Sequence, residues 1–376
     1  MDAGIHVGTV NKIEARIQEW LETGYTPMAQ YCAAHNGVIF LDGAQGKHNP
    51  DVNDQPLTVD SVFPVSSITK TFTATLAMML TEDGLLAPTD RVYRHIPEFD
   101  GDKKDNVTIG HLMTHSAGID DGDIWNMSEE EADKITISPE NLARYPHLDK
   151  WFYAGCHIDN KRNPGEKMSY SSFSQRLVGE IIQRVTGKRL DVLMRERLFE
   201  PLGMTSTFLG VPESAYPRVV KFPKDAYFGF DERALKSISA SGGAFSNARD
   251  LCVFSQMLLN KGEYNGVRVL SRLTVEAMTR NQIPGVSSYH ETEGVFFKEA
   301  GWGYSFMISL DKFDETGTLR SPQTYGHSGA GCSMYIVDPV NNIVAVLMDC
   351  TMKHPGDSLY ERRFDRFFNM VLSGVI

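Results

Sequence analysis

A chain of 376 residues, 41% apolar and 23% charged, has the material for two domains or one elaborated one around a sizeable core. Its net charge of -11 leaves no basic excess to neutralise phosphates, which argues against a nucleic-acid partner. No run of about 18 apolar residues occurs, so no transmembrane helix or membrane partner is predicted.

The first 21 residues carry charges throughout, with Ile5, Val10, Ile13, Ile17 and Leu21 near helical spacing. They read as an amphipathic surface helix, not as the apolar core of a signal peptide. Residues 28–35 and 38–46 read as strands joined by an Asn36-Gly37 turn. The β-branched stretch 59–65 is extended, and the pattern turns helical at Ser67, with Ala, Leu and Met at helical spacing over residues 71–81. From there to about Leu259 helices dominate. Residues 108–114 form a short apolar segment. Residues 120–164 are acidic and irregular with isolated aromatics, read as a solvated insertion or a lid over substrate. Helices follow at 172–186, ended by Gly187, at 190–198, stopped by Pro201, and at 248–260. After Gly301 the alternation becomes strand-like over 302–310, 332–337 and 343–348, with Asn341-Asn342 as a turn, before a closing amphipathic helix over 360–372.

The predicted fold class is therefore α/β (α+β). Strands from both chain ends pair into one antiparallel sheet flanked by terminal helices, with a large, mostly helical region inserted. The boundaries are 1–66 and 265–376 for the sheet domain and 67–264 for the helical one, with the active site at their interface. The cysteines (Cys32, Cys156, Cys252, Cys332, Cys350) are scattered, odd in number and without a C-x-x-C pair. This predicts free thiols and a cytoplasmic protein.

Chemistry concentrates at Ser67-Ile68-Thr69-Lys70. Positions i and i+3 share a helix face, so Lys70 sits beside the Ser67 hydroxyl and can take its proton. The first turn of a helix also offers unpaired N–H groups to a developing oxyanion. Roughly one or two S-x-x-K matches are expected by chance in such a chain. The second, Ser309 to Lys312, closes a strand-like segment whose alternation separates the two side chains. Gly326-His327-Ser328-Gly329-Ala330 imitates a nucleophile elbow, but strand-like residues follow where an elbow needs a helix. His111 and His115 have the spacing of a metal pair but no carboxylate partner, so no metal and no cofactor is predicted. Asp120, Asp121 and Asp123 could supply an acid/base pair, yet nothing singles out two of them.

Several further motifs follow in order: His111-Leu112-Met113-Thr114-His115-Ser116-Ala117-Gly118, Pro164-Gly165, Tyr170-Ser171-Ser172, Pro201-Leu202-Gly203-Met204, Ser241-Gly242-Gly243 and Tyr325-Gly326-His327-Ser328-Gly329. Together with Ser67-Ile68-Thr69-Lys70 they resemble the serine β-lactamase and penicillin-binding-protein superfamily. The branch resembled holds class C β-lactamases, DD-peptidases, D-aminopeptidases and β-lactamase-like carboxylesterases. The resemblance implies a β-lactamase/transpeptidase-like fold and an acyl-enzyme mechanism. Ser67 matches the acylated nucleophile, Lys70 the lysine that activates it and Tyr170 the tyrosine that shuttles a proton. The backbone N–H groups of Ser67 and Ala330 match the oxyanion hole. Ser172, His327, Ser328 and Gly329 match substrate-binding positions, and Trp302 is a candidate pocket wall, as are Trp125, Trp151, Tyr153 and Phe306.

Two departures bear on substrate. Where β-lactamases and DD-peptidases carry Asn two residues after the tyrosine, this chain has Ser172. Where class C enzymes begin the third motif with Lys, it has His327. Both changes weaken recognition of an acyl-amide bearing a carboxylate, and both are tolerable for a simple ester. The expected activity is a carboxylesterase on small esters. Alternatives are a D-amino-acid peptidase or amidase, a weak β-lactamase, an acyltransferase and a non-catalytic ligand sensor. A small-molecule ester or amide is the expected partner, and the oligomeric state is open.

Overall fold

The two ends of the chain meet in a six-stranded sheet. The computed structural model describes residues 3–52, 55–226, 232–290, 295–312, 314–330, 333–352 and 362–376. In sheet order the strands are Met307–Ile308, Tyr325–Gly329, Ser333–Asp338, Ile343–Asp349, Met28–His35 and Val38–Gly46, every neighbouring pair antiparallel. Asn36 and Asn342 take the left-handed backbone of the two tight turns (φ 52 at both), where Asn is tolerated.

Both faces of the sheet are buried, and the period of two divides each strand between two cores. Ile343, Ala345 and Leu347 join Ala29, Tyr31 and Ala33 under the terminal helices Thr9–Glu22 and Arg362–Leu372. Val344, Val346 and Met348 join Met28, Cys32 and Ala34 in the larger core shared with the helical region. Helix Ala248–Leu259 packs on this second face, although the expected boundary groups it with the helical insertion. Beyond it lie helices Thr69–Glu82 and Ser172–Thr186, the latter ended by Gly187 at φ 67.

Four expectations need correction. The N-terminal helix starts only at Thr9, and Ile5 instead bridges to Val375. Pro201 does not stop its helix: Leu190–Met194 runs through a π-helical turn, Arg195–Phe199, to Glu200–Leu202, and Gly203 ends it at φ 70. The wider turn makes room for a ring that would clash with the carbonyl four residues back. The strand expected over 302–310 shrinks to Met307–Ile308, because Ser305 and Leu310 adopt φ 61 and 49, which break an extended run. Residues 120–164 are not irregular. They hold four short helices, Asp121–Trp125, Glu129–Asp133, Pro139–Arg144 and Lys150–His157, each started by a side chain that caps its first turn (Asp120, Ser128, Ser138, Asp149).

Cys32, Cys156 and Cys252 are buried free thiols, Cys350 is buried, and Cys332 lies outside the described residues. Among the described residues no helix is long and apolar enough to cross a membrane.

The closing helix is tied to the sheet by a buried ion pair, Arg363 Nε to Asp349 Oδ2 at 2.6 Å, with Arg363 Nη2 also donating to Thr351 Oγ1 at 2.6 Å. Arg363→Met would strand a buried carboxylate and should cost about 3–5 kcal/mol in urea unfolding. Adding Asp349→Asn to it should recover part of that loss. Additive losses would contradict the pairing.

Candidate active site

The chain enters the site as an extended segment, Phe63–Pro64, paired with Ala244–Ser246. Ser66 then takes φ 43, a left-handed backbone unusual for a side-chain-bearing residue, and turns the chain into the helical turn Ser66–Ile68 and helix Thr69–Glu82. Buried Thr69 locks this corner. Its hydroxyl donates to the Ser66 carbonyl at 2.6 Å and accepts the Ala244 N–H at 3.0 Å. Ser67 is thus half-buried at a helix start, as its local sequence predicts.

Strand Tyr325–Gly329 closes the other side. It approaches so tightly that a Cβ on Gly329 would lie 2.3 Å from the Val65 carbonyl oxygen and 2.5 Å from Ser333 Oγ. Glycine is required here by space. The fit brings Ala330 beside the corner, where the Ser66 hydroxyl donates to the Ala330 carbonyl at 3.5 Å.

Lys70 Nζ stands 3.0 Å from Ser67 Oγ and donates to the Ser241 carbonyl at 2.7 Å. The side chain is 1% exposed. Burial pushes its amine down to about 7, while Asp121 works in the opposite direction. A free amine in this position is able to accept the proton of the Ser67 hydroxyl, which an ordinary protonated lysine cannot do.

Tyr170, 41% exposed, lies over the amine, with its ring centre 4.9 Å from Nζ. Its ring is held by aromatic neighbours, with centroids 4.5 Å from His115, 5.9 Å from Trp302 and 6.2 Å from His327. Trp302 stands nearly perpendicular to both histidines. Both imidazoles are buried. His115 Nδ1 accepts the Ser171 N–H at 3.1 Å, and burial and the nearby Lys70 charge hold the ring well below the usual histidine range. Burial, again with Lys70, pushes His327 down to about 3. The third motif therefore presents an uncharged ring at neutral pH.

Two cavities meet at Ser67. The larger, about 670 Å³, lies between the short helices of 120–164, helix Ser172–Thr186 and residues 237–242, with Ser172 in its wall. The smaller, about 250 Å³, is lined by Tyr170, Trp302, His327, Ser328 and Ala330. The structure thus brings together Ser67, Lys70, Tyr170, Ser172, Trp302, His327, Ser328 and Ala330. Of the other suggested walls, Trp125 reaches the larger cavity, whereas Tyr153 and Phe306 are core residues and Trp151 lines neither.

The competing readings separate on geometry. Ser309 bonds Thr316 at 2.9 Å while Lys312 donates to the Ala300 carbonyl at 2.7 Å, so the second S-x-x-K is no pair, though a turn rather than a strand parts them. Strand Ser333–Asp338, not a helix, follows Ser328. His111 faces Thr108, whose N–H it accepts at 3.2 Å, and the described residues contain no cluster of three metal-ligating side chains.

Sequence reasoning left one functional residue unresolved. Asp121 accepts from the Ser171 hydroxyl at 2.6 Å and from the Ser172 and Phe173 N–H groups at 2.5 and 3.3 Å. It anchors the tyrosine segment at the start of helix Ser172–Thr186 and places a negative charge near Lys70. Its partners are 50 residues away, and within the run Asp120 to Asp123 nothing distinguishes it.

Reaction of Ser67 with a fluorophosphonate should follow the free amine of Lys70, rising with pH through about 7 and levelling above it. Asp121→Asn removes a charge that favours the ammonium, so the rise should move to lower pH. A rise unmoved, or moved upward, would count against this coupling. Gly329→Ala should slow the labelling by about 10²–10³-fold, the size of a lost oxyanion donor, if it parts Ala330 from the corner.

Residues 13–367 match the family model described as Beta-lactamase. Over 382 aligned residues the chain is 27% identical to a protein of Escherichia coli (strain K12) provisionally named a D-alanyl-D-alanine carboxypeptidase, covering 92% of this chain and 83% of that one. A penicillin-binding-protein homologue from Caulobacter crescentus has the same fold, with a TM-score of 0.77 at 20% identity over the whole of both chains. So does a family VIII carboxylesterase, with a TM-score of 0.75 at 23% identity over 97% of this chain and 98% of that one.

Proposed function

Since the chain belongs to the β-lactamase family and has its serine-hydrolase fold, we propose that it is a carboxylesterase working through an acyl-serine intermediate. The observation that carries the choice is His327. At the position where a class C enzyme holds a permanent positive charge for its substrate's carboxylate, this site holds a buried, uncharged imidazole. Ser172 likewise replaces the amide that would grip an acyl-amide side chain. An ester needs neither contact. The carboxylesterase with a TM-score of 0.75 agrees with this reading.

In the proposed reaction Ser67 Oγ attacks the ester carbonyl as its proton passes to the free amine of Lys70, 3.0 Å away. The oxyanion is met by the backbone N–H groups of Ser67 and Ala330. Tyr170 hands a proton to the departing alkoxide and regains one from the Lys70 ammonium, releasing an alcohol and leaving Ser67 acylated with both groups back in their starting states. Water, deprotonated by the same groups, then attacks the acyl carbon. A carboxylic acid leaves and Ser67 recovers its proton.

Short-chain p-nitrophenyl esters should be turned over, and Ser67→Ala should abolish the turnover. The relative from Escherichia coli favours a second reading, a D-alanyl peptidase. Parallel kcat/KM values for an ester, a D-alanyl-D-alanine peptide and nitrocefin separate the two. Peptide turnover exceeding ester turnover would reject the esterase.

A further inference from the structure

The two cavities at Ser67 differ in which half of an ester they receive. On the esterase reading, each half of the ester has its own space. Tyr170, which protonates the departing oxygen there, lines only the smaller cavity. The alcohol half therefore leaves into that space, and the acyl half occupies the larger.

Much of the smaller cavity's wall is apolar: Met168, Phe297, Trp302 and Met307. Among its polar groups, His327 offers a buried atom without a partner. His327 Nδ1 lies 2.6 Å from the Ser328 carbonyl oxygen. A carbonyl oxygen only accepts, so Nδ1 carries the proton and the uncharged ring leaves a bare lone pair on Nε2. That nitrogen is buried and has no hydrogen-bond partner, in a ring that is 1% exposed and lines the cavity. A buried acceptor without a donor costs about 1–3 kcal/mol, which a ligand hydroxyl in the cavity would recover. Nearby His115 does not supply the donor, because its Nε2 is also unpartnered.

The remaining polar groups of this wall reinforce the preference for a donor. Lys312 donates to the Ala300 carbonyl at 2.7 Å, Asp314 is paired with Arg320 at 3.5 Å, and Glu315 accepts the Ser328 hydroxyl at 3.4 Å. With Asp314 paired to Arg320 and Lys312 facing Glu315, these charges balance, and among the described residues of the wall no cation is left over for a carboxylate on the leaving group.

We infer that the leaving-group cavity selects alcohols carrying a second hydroxyl, which donates to His327 Nε2, so that the substrates are esters of diols or of glycerol. An apolar cavity with no acceptor would prefer the opposite, because burying an unpaired hydroxyl is costly.

The test compares kcat/KM for 2,3-dihydroxypropyl butyrate, n-propyl butyrate and O-butyryl glycolate on the full chain. The dihydroxypropyl ester should exceed the propyl ester about tenfold or more, with the glycolate lowest. His327→Gln, which keeps an acceptor at that reach, should retain the preference, and His327→Phe should reverse it. His327→Lys should raise the glycolate relative to the other two. These are ratios within one protein, so a general loss of folded enzyme cancels. The wild-type ratio decides even if a variant fails to fold. Propyl equal to or above dihydroxypropyl in the wild type, or a preference surviving in His327→Phe, overturns the assignment while leaving the esterase intact. No turnover of any ester, with the D-alanyl peptide cleaved, overturns both.

Discussion

An amine that ought to be charged sits buried against a serine hydroxyl, and the surrounding structure is arranged to keep it there. Lys70 is buried at the start of helix Thr69–Glu82, with the Ser241 carbonyl on one side and the face of Tyr170 on the other. Desolvation lowers its proton affinity, and the single opposing charge, Asp121, is spent mainly on anchoring the tyrosine segment. Were Asp121 closer, the amine would stay protonated. Were it absent, Tyr170 would lose the anchor that holds its backbone at the head of helix Ser172–Thr186. On the proposed mechanism, the placing of these three groups balances a reactive base against a positioned acid.

The two halves of the site rest on different foundations. The leaving-group side is built on strand Tyr325–Gly329, wedged against the nucleophile corner with no space for a methyl group at Gly329. Its polar atoms, in His327 and Ser328, belong to the six-stranded sheet, whose ladders run to the chain's first strand. The acyl side is built from short helices and the segment 237–242.

Much of this architecture is legible along the chain because it is local. The strands Met28–His35 and Val38–Gly46, with their Asn-Gly turn, and the helix Ser172–Thr186, with its glycine stop, match what period and turn chemistry predict. Ser67 and Lys70 are equally local, since residues three apart on one helix face must meet. What fails is long-range or backbone-driven. The strand over 302–310 is lost to the left-handed Ser305 and Leu310, for which side-chain alternation gives no warning. The four helices in 120–164 depend on caps just before each one, which a search for apolar periodicity passes over. Asp121 and the second role of His115, as a support for Tyr170, exist only because the fold joins residues more than fifty positions apart.

Those four capped helices have a consequence for how the pocket can change over evolutionary time. Each spans five to eight residues, too short to be stable alone, so each depends on its cap and its packing. Two of them, Asp121–Trp125 and Lys150–His157, line the larger cavity beside helix Ser172–Thr186, and apart from Asp121 their side chains can be resculpted one piece at a time with little penalty to the sheet. The acyl half of the specificity is thus the plastic one. On the proposed esterase reading the alcohol half is less free: the backbone of His327 and Ser328 is held in the sheet, so change there is confined to side chains.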